Sequence, residues 1–382
     1  METVGIICEY NPFHKGHFKQ LQEVRRQGGE GIVCLMSGNY VQRGAPAIVD
    51  KTYRAATAMD CGADLVLELP VTAALSSAEG FAREGVRLLG GFCDRLCFGA
   101  ETEDTSALMA LAQAQLQEEY PLALRQALET GCSFPAARDL ALASLGLDAA
   151  PLKLPNNILA VEYCKAILSL NCPMMPMVIH RQGSYHAQQA DLENPSATAV
   201  RHGMLNAEPW QNLVPAPAAA RIKNAPVHTL AAGERGILAR LRTMSDADYE
   251  ALPYGSEGLW RKLMQEGRRG CSIEEIASRV KSKRYTRSRI DRMILCAFLG
   301  LTARDLAQPA PYARVLALNH RGGEILKRAR NTGWYPNIGE KTGDPLEALE
   351  HRCDDLYGLF AQGNPEPAGI AGKRRVYFSS EG

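Results

Sequence analysis

Five short apolar runs punctuate the first half of the chain: Val4–Cys8, Gly31–Met36, Asp64–Leu69, Asp94–Phe98 and Met175–Ile179. Each is bounded by turn residues and is too continuously apolar for a strand with one wet face. Between them lie stretches with helical spacing, at Phe18–Gln27, Lys51–Cys61, Ser77–Leu89 and Leu108–Leu128. A strand buried on both faces needs cover on both, and a helical crossover returns the chain for a parallel neighbour. The pattern predicts an α/β fold, a Rossmann-like parallel sheet with helices on both faces. Ligands of such a sheet bind beyond the carboxyl ends of its strands. Nothing in the sequence orders the strands.

After about residue 205 the texture changes. Residues 214–226, VPAPAAARIKNAP, read as a linker or irregular crossing. Helical spacing then recurs at Gly236–Met244, Gly258–Glu266, Ile273–Val280, Ser288–Leu299, Gly322–Asn331 and Leu346–Phe360. The reading is two domains: residues 1–210 carry the sheet, and 211–382 are mainly helical, with a poorly ordered tail from about 363. No run of about 18 apolar residues predicts a membrane span, and the first residues have no secretory signal. The 43 Lys+Arg against 42 Asp+Glu exclude a globally basic nucleic-acid coat, though not a local basic patch. The eleven cysteines contain no CxxC pair, and most lie in apolar runs. They read as reduced, buried thiols of a cytoplasmic protein.

The chemistry sits after the first strand. In Glu9-Tyr-Asn-Pro-Phe-His-Lys-Gly-His17, Asn11-Pro12 signals a turn and a helix follows. His14 and His17 share one face of its first turn. A helix N-terminus favours anions, and two imidazoles there can donate to a transferring phosphoryl group. The bland alternative is a histidine pair that only caps a helix. Gly16 between them would admit a ligand close to the backbone. No P-loop and no GxGxxG fingerprint occurs, and no HExxH or Cys/His cluster marks a metal site.

NPFHKGH resembles the HxGH motif of the α/β nucleotidyltransferase superfamily, which transfers adenylyl groups from ATP and releases pyrophosphate. Pro195-Ser-Ala-Thr-Ala-Val-Arg201 resembles its ISSTxxR helix start, with Ala197 in place of the middle serine. By that likeness Ser196, Thr198 and Arg201 hold ATP phosphates; on their own, Ser196 and Thr198 also read as a plain N-cap.

Six blocks in order resemble one family more closely: ICEYNPFHKGH, Met36–Ala55, Gly62–Pro70, Phe98–Glu101, Leu154–Tyr163 and Tyr285–Arg292. The family is the bacterial tRNA(Met) cytidine acetate ligases. The resemblance implies an enzyme that activates acetate with ATP as acetyl-AMP and acetylates N4 of the wobble cytidine of elongator tRNA(Met). It implies ATP contacts along Ile6, Ile7, Cys8, Glu9, Tyr10, Asn11, Pro12, Phe13 and Gly16, and at Gly99, Arg181 and Gln182. His14, His17, Lys19 and Arg43 would be catalytic. Of Asn156 and Asn157, one caps the following helix and the other reads adenine or ribose; which is which stays open. Mg2+ would ride mainly on the ATP phosphates, with no protein ligand.

The residues fit that likeness. Ser37 follows the second strand at the ligand edge and joins the catalytic set. Gln42, Arg43, Asp50, Lys51 and Arg54 form a polar cluster after it, in which Arg43 and Lys51 suit anions. Lys51 and Arg54 also read as a solvated helix face. Arg279–Arg292 holds seven Lys/Arg against one Asp. Lys281, Lys283, Arg284, Tyr285, Arg287, Arg289 and Arg292 are the tRNA-binding candidates, with Lys281, Tyr285, Arg289 and Arg292 in a row if the stretch is one helix. A membrane and DNA are not expected partners. The competing reading is a small-molecule adenylyltransferase that makes a nucleotide cofactor. It shares the histidine site and has no use for the basic half.

Overall fold

The computed structural model describes residues 1–180, 192–282, 284–331, 337, 342–369 and 375–380. Its main sheet holds β1 (Thr3–Cys8), β2 (Gly31–Ser37), β5 (Leu65–Leu69), β6 (Arg95–Ala100), β7 (Met175–His180), β8 (Arg314–Leu318) and β9 (Tyr377–Phe378). Between β2 and β5 a small hairpin, β3 (Tyr40–Val41) and β4 (Ala45–Pro46), stands off the sheet. The order is β7-β6-β1-β2-β5-β8-β9. The first five are parallel; β8 runs antiparallel to β5 and β9 parallel to β8.

Side chains alternate between the two faces of each strand, so each strand feeds two cores. Ile32, Cys34 and Met36 join the layer that holds Leu21 and Val24 of helix α1 (Lys15–Arg26) and Ala55, Ala58 and Met59 of helix α2 (Lys51–Asp60). Val33 and Leu35 face the helices Ala78–Leu89, Thr105–Gln115 and Pro155–Ser169. A third core lies within the helices Leu230–Thr243, Leu259–Arg269, Ile273–Val280, Arg287–Leu299 and Pro345–Tyr357. Tyr40, Val71 and Leu75 belong to that third core. The helical body therefore seats on the carboxyl ends of β2 and β5. Each fully buried Leu or Ile at this joint contributes roughly 1.5–3 kcal/mol.

Several elements differ from the sequence reading. β8 and β9 lie in the half read as helical, and β9 orders part of the tail. The five-residue run at β8 is too short for its period to separate strand from helix. The stretch read as one helix, Leu108–Leu128, is two, Thr105–Gln115 and Glu119–Glu129. Inside the 214–226 segment a helix spans Ala216–Ile222. Pro215 and Pro217 occupy its N-cap and first turn, where a missing N–H costs nothing. Arg221 then ties it to α2 through Asp60 at 2.7 Å. All eleven cysteines are free thiols, and only Cys271 is exposed. Among the described residues no helix is long and apolar enough to cross a membrane.

Candidate active site

β1 ends at Cys8, and the loop to α1 passes through Glu9 and a cis Asn11–Pro12 bond to His14. His14 is the N-cap of α1. Its Nδ1 accepts from the Gly16 backbone N–H at 3.1 Å, while His17 Nδ1 accepts from the His14 N–H at 3.3 Å. The two rings stack with centroids 3.7 Å apart. Tyr10 and Phe13 back His17 at 4.8 and 5.5 Å. The histidines thus do cap the helix, and the capping fixes their tautomers. A nitrogen that accepts an N–H carries no hydrogen, so each neutral ring keeps its proton on Nε2. The fold presets both imidazoles as Nε2–H donors.

Gly16 has a reason within the fold itself. A Cβ there would lie 2.9 Å from His14 Cε1 and 3.1 Å from its Nδ1. The glycine makes room for the His14 ring, and its N–H is taken by His14. Gly16→Ala should displace that ring by a few tenths of an ångström or more. The expected result is a fall of about 10- to 100-fold in adenylate formation with secondary structure intact, read by pyrophosphate release.

A second helix start converges here. Ser196 caps the helix Ala197–Leu205, its Oγ accepting from Ala199 N–H at 3.1 Å. Arg201 reaches from that helix to the Asn11 carbonyl at 2.7 Å and to Thr198 Oγ1 at 3.1 Å. Lys19 and Lys15 donate to the carbonyls of Glu193 and Leu192 just before it, at 2.7 and 3.2 Å. Glu9 lies at the centre. Its carboxylate accepts from the Gln42 N–H at 2.7 Å. Burial raises its pKa, while that hydrogen bond and the charges of Arg201, Arg43 and Arg54 oppose the rise. Arg43 is exposed at the hairpin turn, within electrostatic reach of this carboxylate.

Arg54 is not on a solvated helix face. It is fully buried and donates to the carbonyls of Val49, Glu9, Ser37 and Gly38. It staples the loops after β1 and β2 to α2. Lys51 is also buried, with Nζ 2.6 Å from Glu68 and 2.6 Å from Asp354. That commitment removes it from the anion-binding set. Arg314 pairs with the same two carboxylates at 2.8 and 3.2 Å. Ser37 is enclosed too, its hydroxyl buried with no hydrogen-bond partner among the described residues. Ile6, Cys8, Tyr10 and Phe13 are core residues, so only their backbone lines the edge. Ile7 is half-buried against the other layer.

Within β6, Gly99 pairs with Ile179, and just beyond the strand Glu101 performs the capping expected of an asparagine. The Glu101 carboxylate accepts from the backbone N–H groups of Asn156 and Asn157 at 3.3 and 2.9 Å. Asn157 is buried, accepting from the Glu101 and Thr102 N–H groups and donating to Pro151. Asn156 is half-exposed and donates to Glu101 at 2.6 Å. Arg181, Gln182 and Lys283 lie outside the described residues.

The basic stretch does not form one helical row. Ile273–Val280 ends at Lys281, a connection follows, and a new helix starts at Arg287. Tyr285 is buried and its hydroxyl donates to the Glu257 carbonyl at 2.7 Å. Arg289 donates to the Tyr254 carbonyl, and Arg287 is paired with Glu274 and Asp291. Arg292 is buried and reaches the Gln42 carbonyl at 3.3 Å. The tyrosine and three arginines assemble the body, because their stems and rings cover apolar surface. Lys281 and Arg284 stay exposed. Among the described residues no group of three His, Cys, Asp or Glu side chains could hold a metal.

A family model described as HIGH nucleotidyl transferase matches residues 1–369. The tRNA(Met) cytidine acetate ligase of Clostridium novyi (strain NT) is 35% identical over 356 residues, 88% of this chain and 89% of that relative. The crystal structure of Thermotoga maritima TmcAL in its apo form superposes with a TM-score of 0.92 at 27% identity, over 100% of both chains. The same protein bound with alpha-thio ATP gives 0.88 at 29% identity, over 99% of both. The chain belongs to the HIGH nucleotidyl transferase family and to the family of the tRNA(Met) cytidine acetate ligases.

Proposed function

We propose that the chain joins acetate to the wobble cytidine of elongator tRNA(Met) through acetyl-AMP, with ATP as the activating substrate. The observation that carries the chemistry is the reciprocal histidine cap. Two imidazoles that keep their proton on Nε2 sit at a helix start, beside a second helix start bearing Ser196, Thr198 and Arg201. A triphosphate laid across both would meet two positive dipole ends and the cations Lys15, Lys19, Arg43 and Arg201.

The carboxylate of acetate is already a nucleophile. Its oxygen attacks the α-phosphorus, the bond to the bridging oxygen of pyrophosphate breaks, and acetyl-AMP forms. The side chains supply position and charge, not a covalent intermediate. His14 and His17 donate where negative charge grows. Asn156 is the adenosine contact in this reading, because Asn157 is consumed by three backbone groups. Mg2+ arrives on the ATP phosphates. The cytidine N4 then attacks the acetyl carbon and AMP leaves. The nucleotidyltransferase half, 1–210, would carry activation, and the helical body would present the tRNA. A tRNA substrate places the protein in the cytoplasm.

Pyrophosphate release measured with ATP and a panel of small carboxylates, with and without tRNA, tests this. Acetate-dependent release and label transfer from acetate to tRNA(Met) are expected. Steady turnover that ignores tRNA, with a phosphorylated cofactor precursor as acceptor, would instead establish the small-molecule adenylyltransferase.

A further inference from the structure

With Tyr285, Arg289 and Arg292 built into the body, a different set of side chains is left at its surface to meet RNA. We propose that Trp260, Arg261, Lys281 and Arg284 form a tRNA-gripping seam, with the Trp260–Arg261 stack as the platform for one unpaired base; this rests on the tRNA reading above. The Arg261 guanidinium carbon lies 4.7 Å from the centre of the Trp260 ring. Trp260 is half-buried, its apolar side on the third core, and Arg261 is exposed. A guanidinium held over an indole is a pre-ordered flat surface, and bases stack on both groups.

Two contacts bring the set together. Lys262 donates to the Val280 carbonyl at 3.0 Å, which seats Leu259–Arg269 against the end of Ile273–Val280, where Lys281 begins. Tyr285 OH on the Glu257 carbonyl closes the other side, next to Arg284. Charge accounting favours a polyanion. Neighbouring arginines are spent: Arg268 on Asp246, Arg279 on Glu266 and Glu275, Arg287 on Glu274 and Asp291. Among the described residues Arg261, Lys281 and Arg284 form no ion pair, and Lys281 feels Glu274, itself paired with Arg287, only at longer range. Cations without a protein partner give up little when they meet phosphate and release its counterions.

The seam also connects to the site. The helix that follows it, Arg287–Leu299, carries Arg292 to the Gln42 carbonyl, and the Gln42 N–H binds Glu9. This helix thus ties the body that carries Trp260 to the loop after β1.

The test uses the full chain, a tRNA(Met) transcript, and a fully paired RNA duplex of matching length. Arg261→Glu and the Lys281→Glu/Arg284→Glu pair should weaken both RNAs and lower the salt slope by about one per lost contact. Trp260→Leu keeps apolar bulk but no ring. It should weaken the transcript by roughly 10- to 100-fold and leave the duplex unchanged, with Trp260→Phe restoring much of the loss. The transcript should also quench the fluorescence that wild type has and Trp260→Phe lacks. Wild-type affinity and salt slope in the charge reversals would overturn the seam. Equal losses on transcript and duplex in Trp260→Leu, or no quenching, would overturn the stacking platform. If the wild-type chain bound and quenched but never acetylated, the enzymatic reading would fall and the seam would stand.

Discussion

Replacing His14 or His17 by alanine is expected to cut acetyl-adenylate formation by about 10²–10³, the scale for losing one transition-state donor. Each imidazole accepts a backbone N–H on Nδ1 and so keeps its proton on Nε2. Alanine removes the cap and the donor together. The cap alone is worth about 1 kcal/mol, so the unfolding midpoint should move little while the rate collapses. His14→Asn separates the two, because asparagine caps well at that position but cannot present a donor where Nε2–H lies. It should recover stability and not rate. Single-turnover pyrophosphate release alongside chemical denaturation reads both. Near-normal adenylation in either alanine variant would remove the histidines from the chemistry.

That result bears on how much of the site could be read from sequence. The His14/His17 spacing marks one face of one helical turn, and local spacing is what a sequence records well. The parallel core strands were legible for the same reason, since a strand buried on both faces is a continuous apolar run. Lys51 and Arg54 were not legible. Charged residues at helical spacing usually cover a solvated face, whereas Lys51 finds Glu68 and Asp354 17 and 303 positions away and Arg54 finds the Glu9 carbonyl 45 positions away. Only the fold brings them together. Glu101 as the cap for Asn156 and Asn157 is of the same kind, a long-range substitute for a local signal. The basic stretch misled through a boundary. Lys281 closes one helix and Arg287 opens another, so the row imagined on one face never forms. Arg261 sat one helix earlier, with no run of charge to draw attention to it.

Lys51→Met should destabilise the protein by about 3–5 kcal/mol, the cost of deleting one member of a buried ion cluster and leaving the others uncompensated. Lys51 and Arg314 face Glu68, Asp354 and Glu350 in the joint between α2, β5, β8 and the helix Pro345–Tyr357. Two cations oppose three carboxyl groups. Burial and the neighbouring Glu68 charge push the Glu350 carboxyl up to about 8, which favours its protonated form and eases the excess of carboxyl groups. Burial would raise Glu68 as well, but Arg314 and Lys51 hold it below its ordinary value. Without Lys51 one cation remains, and that restraint on Glu68 weakens. A carboxyl raised in the folded state keeps its stability at low pH and loses it as pH rises, since the folded form then binds more protons than the unfolded chain. The wild-type contribution from Glu350 accordingly falls between about 4.5 and about 8. In Lys51→Met the additional loss should be larger at pH 8 than at pH 5, where protonation relieves the unpaired carboxylates. Denaturant unfolding of both proteins at the two pH values measures the difference. The joint also holds the helical body on the carboxyl ends of β2 and β5, so the same variant should loosen tRNA presentation before it touches acetate activation. An equal loss at both pH values would mean that Lys51 acts through packing alone.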